Sequence, residues 1–313
     1  MTRPIPYFDA HCDTISRCME MGEGMRENRG HLDFARLAGY RSAGAVFAVF
    51  HDAAEPPPDG MLAEFRRQCD HFAREVEKNA DIVARCKTAV QLRAAHESGK
   101  SAVLLSVEGA ELLECDPERL FEAQERGVRS VNLTWNRANA LSGSNVEDPQ
   151  RGLSDRGRAF VRAAEELGIF VDVSHLSDAG FWDVVRMARR PVLATHSNAR
   201  AVCPHTRNLT DDMFRAVVET GGAVGINLYA RFVVPEGAAA MEDIVRHVDR
   251  FMELGGERAV CIGADFDGCD ALAGGITNVS DMPMLYDALA RRGYSWEVLE
   301  EIFAGNLLRV LSE

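Results

Sequence analysis

Short apolar runs alternate with longer stretches of helical periodicity along the chain. Eight runs read as strands: residues 5–9, 45–50, 102–107, 129–134, 169–174, 192–195, 223–228 and 259–263. Most are near-continuous Val, Ile, Leu, Ala and Phe rather than alternating, the pattern of parallel strands covered on both faces. The segments between them carry helix signals. Thr88-x-x-Gln91 has the form of a capping box, Asp116-Pro117 puts proline at a first helical position, and Ser154, Ser177, Thr210 and Ser295 are candidate N-caps. Gly99, Gly127, Gly168 and Gly255 fall where helices should stop. The longest expected helix covers residues 61–80, with Leu62, Phe65, Cys69, Phe72 and Val76 as its inward stripe. Eight β-then-α units in 313 residues predict an α/β fold, a (β/α)8 TIM-type barrel, as one domain over 1–313. A doubly wound sheet is the rival arrangement. No repeat or linker interrupts the pattern, and Pro56-Pro57-Pro58 reads as a loop.

Composition narrows the function classes. A net charge of −13 argues against nucleic acid and anionic membrane as partners. No run approaches the ~20 apolar residues of a membrane span, and the stretch before the first strand has no apolar core of signal-peptide length. Eight cysteines without a C-x-x-C pair read as buried thiols of a reduced, cytoplasmic protein.

The candidate chemistry sits at the C-terminal ends of the predicted strands. Asp9-Ala10-His11-Cys12-Asp13 ends the first, with an imidazole and a carboxylate two positions apart and so on one face of a strand. Ser106-Val107-Glu108-Gly109 ends the third, Asp172-Val173-Ser174-His175 the fifth and Ala194-Thr195-His196-Ser197 the sixth. Gly263-Ala264-Asp265-Phe266-Asp267-Gly268 ends the eighth. Taken singly, a strand-end His commonly bonds a loop and a strand-end Asp commonly caps a helix. Their convergence on one barrel mouth, where such barrels carry catalytic groups, is hard to explain as capping. Histidine and carboxylate ligands suit zinc, with manganese or cobalt as substitutes. A metal-dependent hydrolase is therefore the first expectation.

These motifs resemble the renal (membrane) dipeptidase family, the M19 metallopeptidases of the binuclear amidohydrolase superfamily. To those above are added Arg207-Asn208-Leu209-Thr210-Asp211-Asp212 and Gly305-Asn306-Leu307-Leu308-Arg309-Val310, in the family's order, from about residue 7 to residue 311. The resemblance implies two zinc ions per chain. His11 and Asp13 would bind one and His175 and His196 the other, with Glu108 and a hydroxide bridging both. Asp265 would be the general acid/base. Arg207 would clamp the substrate's C-terminal carboxylate, a bidentate contact that lysine cannot match. Asp267 reads as a loop-holding residue, and His205 as loop structure.

The chain departs from the pattern at one point. Where the renal pattern carries a substrate-contacting histidine after the fourth strand, this chain has Trp135, followed by Asn136 and Asn139. An indole offers only one N–H donor. Trp135 is expected to shape the pocket, with Asn136 as a further substrate contact. The expected activity is hydrolysis of dipeptides with a free C-terminal carboxylate, tolerant of a D-residue there. The alternatives are an N-acyl amino-acid deacylase or lactonase on the same centre, or a metal-bound accessory barrel without peptidase turnover. A homodimer is kept open as the assembly.

Overall fold

A computed structural model describes residues 4–313. Met1–Arg3, part of the stretch read for a leader, lie outside it. Nine parallel strands form the sheet: β1 (Pro6–Cys12), β2 (Arg41–Phe50), β3 (Val83–Arg85), β4 (Ser101–Glu108), β5 (Val128–Asn132), β6 (Phe170–Asp172), β7 (Leu193–Ala194), β8 (Ala223–Ile226) and β9 (Val260–Ile262). Eight of them close in the order β1-β2-β4-β5-β6-β7-β8-β9, with β9 returning to β1 through Asp9↔Ile262. This is the expected (β/α)8 barrel, and each expected run supplies one of its strands. The ninth strand, β3, was not expected. It pairs with the first residues of β4, Val83 with Ser101 and Arg85 with Val103, while β5 pairs further along the same strand.

The helix signals held with two corrections. Ser154, Ser177, Thr210 and Ser295 each accept a backbone N–H three residues on, and Thr88 does so from Gln91. Gln91, however, turns its side chain to the N–H of Lys87 (2.7 Å) instead of completing the box on Thr88. Pro117 is not the first residue of a helix. Asp116 accepts the N–H of Glu118 in a preceding turn, and the helix begins at Arg119. The longest helix, Met61–Lys78, buries Phe65, Cys69, Phe72 and Val76. Gly99, Gly127, Gly168 and Gly255 all have left-handed φ, between +73° and +88°.

Residues from β1, β2, β4, β6, β7, β8 and β9, among them Phe8, Val46, Leu104 and Phe170, meet the C-terminal helix Asn306–Leu311 in one apolar cluster. Above it the sheet is drawn in tightly. A Cβ on Gly225 would lie 1.8 Å from the Thr195 carbonyl oxygen and one on Gly263 1.7 Å from it, so only glycine fits at either position. Among the described residues no helix is long and apolar enough to cross a membrane.

Candidate metal centre

Every expected donor lies at a strand's C-terminal end, because a parallel barrel brings all those ends to one mouth. His11 is the penultimate residue of β1 and Asp13 follows the strand; Glu108 is the last residue of β4. His175 and His196 follow β6 and β7, and Asp265 follows β9. All six are buried. His11 Nε2 lies 3.4 Å from Asp13 Oδ2 and 3.7 Å from Glu108 Oε2. The other Glu108 oxygen, Oε1, is 3.0 Å from His175 Nε2 and 3.3 Å from His196 Nε2. The two histidine Nε2 atoms are themselves 3.1 Å apart. Three sets of donors, each with its atoms within 4.8 Å of one another, follow: His11–Asp13–Glu108, Glu108–His175–His196 and His11–His196–Asp265. Asp265 is thus close enough to His11 and His196 to act as a ligand. His175 and Asp265 hold left-handed φ of +70° and +61°, uncommon for residues with a side chain. Such conformations persist where the surroundings over-determine them.

The electrostatics are those of a charge cluster removed from water. Burial opposes a charge on His11, but Glu108 and Asp13 outweigh it and push the imidazole up to about 10. Burial drives His175 and His196 well below the usual histidine range, helped by Arg207 and His11. Burial also raises Glu108 and Asp265, while His11 acts against it on both. Of the cluster's polar atoms, His11 Nε2 and Asp13 Oδ1 are buried without a well-formed hydrogen bond.

The remaining expected residues surround this cluster. A cavity of about 740 Å³ opens above it, walled by Phe50, Trp135, Tyr229 and Phe232 on its apolar sides. Trp135 packs against Phe50 with ring centroids 4.9 Å apart, which fits a pocket-shaping residue. Asn136 also lines the cavity, but its amide oxygen is 3.1 Å from His175 Nδ1, an engagement the sequence did not reveal. Arg207 is buried behind Phe232, its guanidinium 5.7 Å from that ring. One of its nitrogens donates to Ser197 Oγ (3.0 Å), while Nε and Nη2 have no protein partner. Asp267 accepts from His31 N–H (2.6 Å) and the Thr14 hydroxyl (2.6 Å), tying two mouth loops together. His205 accepts the Arg207 N–H within its own loop.

Sequence reasoning missed Asn227, whose amide donates to Asp265 Oδ2 (3.0 Å), and also Asp9, Asp172 and Thr195. The two aspartates had a signal, since each interrupts a buried apolar strand.

A (β/α)8 barrel with buried imidazoles and carboxylates converging at its mouth defines the class as a metal-binding hydrolase barrel. The whole chain, residues 1–313, matches the membrane dipeptidase family, peptidase family M19, and it belongs to that family. It is accordingly a hydrolase of the metallo-dipeptidase type. It is 32% identical to dipeptidase aclJ of Aspergillus oryzae, over 91% of this chain and 70% of that protein. It is 35% identical to an uncharacterized protein of the pqqA 5′ region of Klebsiella pneumoniae, over 72% of this chain and 87% of that protein. Its fold superposes with a TM-score of 0.87 on a Rhodobacter sphaeroides metallo peptidase liganded with a phosphinate mimic of the dipeptide L-Ala-D-Ala. The two are 28% identical, covering 98% of this chain and 99% of that one.

Proposed function

We propose that this chain, as a single barrel domain, hydrolyses the amide bond of dipeptides bearing a free C-terminal carboxylate, with a D-residue tolerated at that end. Arg207 carries the substrate assignment. A buried guanidinium with two unpartnered N–H-bearing nitrogens leaves donors for an anion, and its planar fork fits a carboxylate. The relative liganded with an L-Ala-D-Ala mimic supports the D-residue.

The donor set fits two zinc ions. Asp13 Oδ1, buried without a hydrogen-bond partner, and two imidazole nitrogens 3.1 Å apart call for cations between them. His11 and Asp13 would hold one ion, His175 and His196 the other, and Glu108 both. When bound, such a pair polarises a carbonyl and lowers the pKa of water. The chain's own groups do the rest. Asp265 would take the proton released by the attacking water on Oδ1, its Oδ2 being held by Asn227, and pass it to the departing amine nitrogen. Arg207 would fix the carboxylate end, and Trp135 and Phe50 would exclude water from the bond being cut.

A panel of L,L-, L,D- and D-dipeptides, their C-terminal amides and N-acyl amino acids tests this on protein stripped by a chelator and reloaded with zinc. Turnover of free-carboxylate dipeptides should return as about two equivalents of zinc bind. Preferential cleavage of N-acyl amino acids would make the deacylase the better reading, and equal cleavage of the amides would remove the carboxylate requirement.

A further inference from the structure

Two buried aspartates next to the donor cluster share one bonding pattern. Asp9, on β1, accepts through Oδ1 the N–H of His11, two residues on (3.2 Å), and of Ala264, beyond β9 (2.9 Å). Its Oδ2 accepts the Tyr7 hydroxyl. Asp172, the last residue of β6, accepts through Oδ1 the N–H of Ser174, two residues on (2.9 Å), and of Thr195, beyond β7 (3.1 Å). Its Oδ2 accepts the Thr195 hydroxyl. Each carboxylate therefore fastens the ends of two neighbouring strands. One pair carries His11, Asp13 and Asp265; the other carries His175 and His196.

At Asp172 the network runs one bond further, because Thr195 Oγ1 also lies 2.8 Å from His196 Nδ1. The hydroxyl has a single proton, and an ionised carboxylate can only accept. The proton therefore points to Asp172, and Oγ1 must accept on its other side. His196 Nδ1 then carries the ring hydrogen, which leaves the lone pair on Nε2, the atom facing Glu108 and His175. We infer that Asp172, acting through Thr195, is a positioning residue that sets His196 in its Nδ1–H tautomer and so makes Nε2 a metal donor. Only the last clause rests on the proposed metal centre; the tautomer rests on the Asp172–Thr195–Nδ1 bonds, which must outweigh the pull of Glu108 Oε1 on a proton at Nε2. His175 differs, since its Nδ1 meets the neutral amide oxygen of Asn136.

Asp172→Asn tests the relay. The amide oxygen must still face the two backbone N–H groups, so the NH₂ turns to Thr195 Oγ1. The hydroxyl must then accept from the amide and donate to His196 Nδ1, which moves the ring hydrogen to Nε2. Nitrogen correlation spectra of isotope-labelled histidine in the metal-free protein should show His196 as Nδ1–H in the wild type and Nε2–H in the variant. Zinc affinity, read by competition with a chromogenic chelator, should fall about 10- to 100-fold. Thr195→Val, which keeps Asp172 and its backbone bonds, should weaken zinc similarly, and Thr195→Ser should retain the wild-type tautomer and affinity. A wild-type His196 in the Nε2–H form overturns the inference, as does an Nδ1–H form that survives both Asp172→Asn and Thr195→Val. A tautomer that switches with no change in zinc affinity overturns the donor clause. Wild-type protein that binds no zinc overturns the proposed metal centre instead, and the tautomer spectra still decide the relay.

Discussion

On the β1–β9 side of the cluster, His11 stands between Asp13 and Glu108, with Asp265 close by; on the β6–β7 side, His175 and His196 face one another. The three imidazoles share one buried site, and His11 and His196 even stack, with centroids 3.8 Å apart. Their proton affinities nevertheless diverge. Carboxylates hold His11 up at about 10 against its burial, while burial and Arg207 hold the other two well below the usual range. One side therefore draws positive charge and the other offers unprotonated nitrogen. The cations proposed between them would suit both sides.

The sharpest way to break this contrast is Asp265→Asn, which removes a negative charge from the acidic side and leaves every histidine in place. Turnover should fall by about 100-fold or more, the scale of a lost general acid/base. Metal content by elemental analysis should be unchanged; loss of an ion would make Asp265 chiefly a ligand.

Arg207→Met addresses the histidine side. Removing a buried, charge-assisted contact to substrate should cost about 2 kcal/mol, roughly 30-fold in kcat/KM, for free-carboxylate dipeptides. C-terminal amides should be affected far less. If the wild type treats dipeptide and amide alike, Arg207 is no clamp.

The smallest effect concerns His247, buried behind the histidine side. Its Nδ1 accepts the N–H of Ala199, and its Nε2 bonds the Val233 carbonyl (2.9 Å). A proton on Nδ1 would oppose the Ala199 N–H, and burial already lowers this histidine's pKa. Below about pH 6.5 the unfolded chain gains this proton while the folded one does not. Stability should therefore fall as pH drops from 7 towards 5, and His247→Gln should flatten that part of the thermal-unfolding profile. An unchanged slope in the variant would assign the acid sensitivity to other groups.

The contrast also separates what the sequence could reveal from what it could not. Buried parallel strands need continuous apolar residues, so all eight barrel strands left a readable run. The three residues Val83–Arg85 have no such run and pair only beside the start of β4, so β3 was invisible. β2 extends back to Arg41, ahead of its apolar run, because ladder bonds there do not depend on side-chain polarity. His11, Asp13, Glu108, His175, His196 and Asp265 were legible because a barrel gives strand ends a common address. The orientation of Asn136 and the reach of Asp9 and Asp172 were not, since cross-strand hydrogen bonds are fixed only after neighbours align.

The close approach of Gly225 and Gly263 to the Thr195 carbonyl has a consequence for how this enzyme could diversify. Here the strands meet backbone to backbone, and any side chain added at either glycine would collide with the Thr195 carbonyl. New substrate preferences are accessible instead through the cavity walls, at positions such as Phe50, Trp135, Tyr229 and Phe232. Random libraries aimed at those four positions should yield folded variants with altered selectivity, whereas libraries at the two glycines should return only the parent residue.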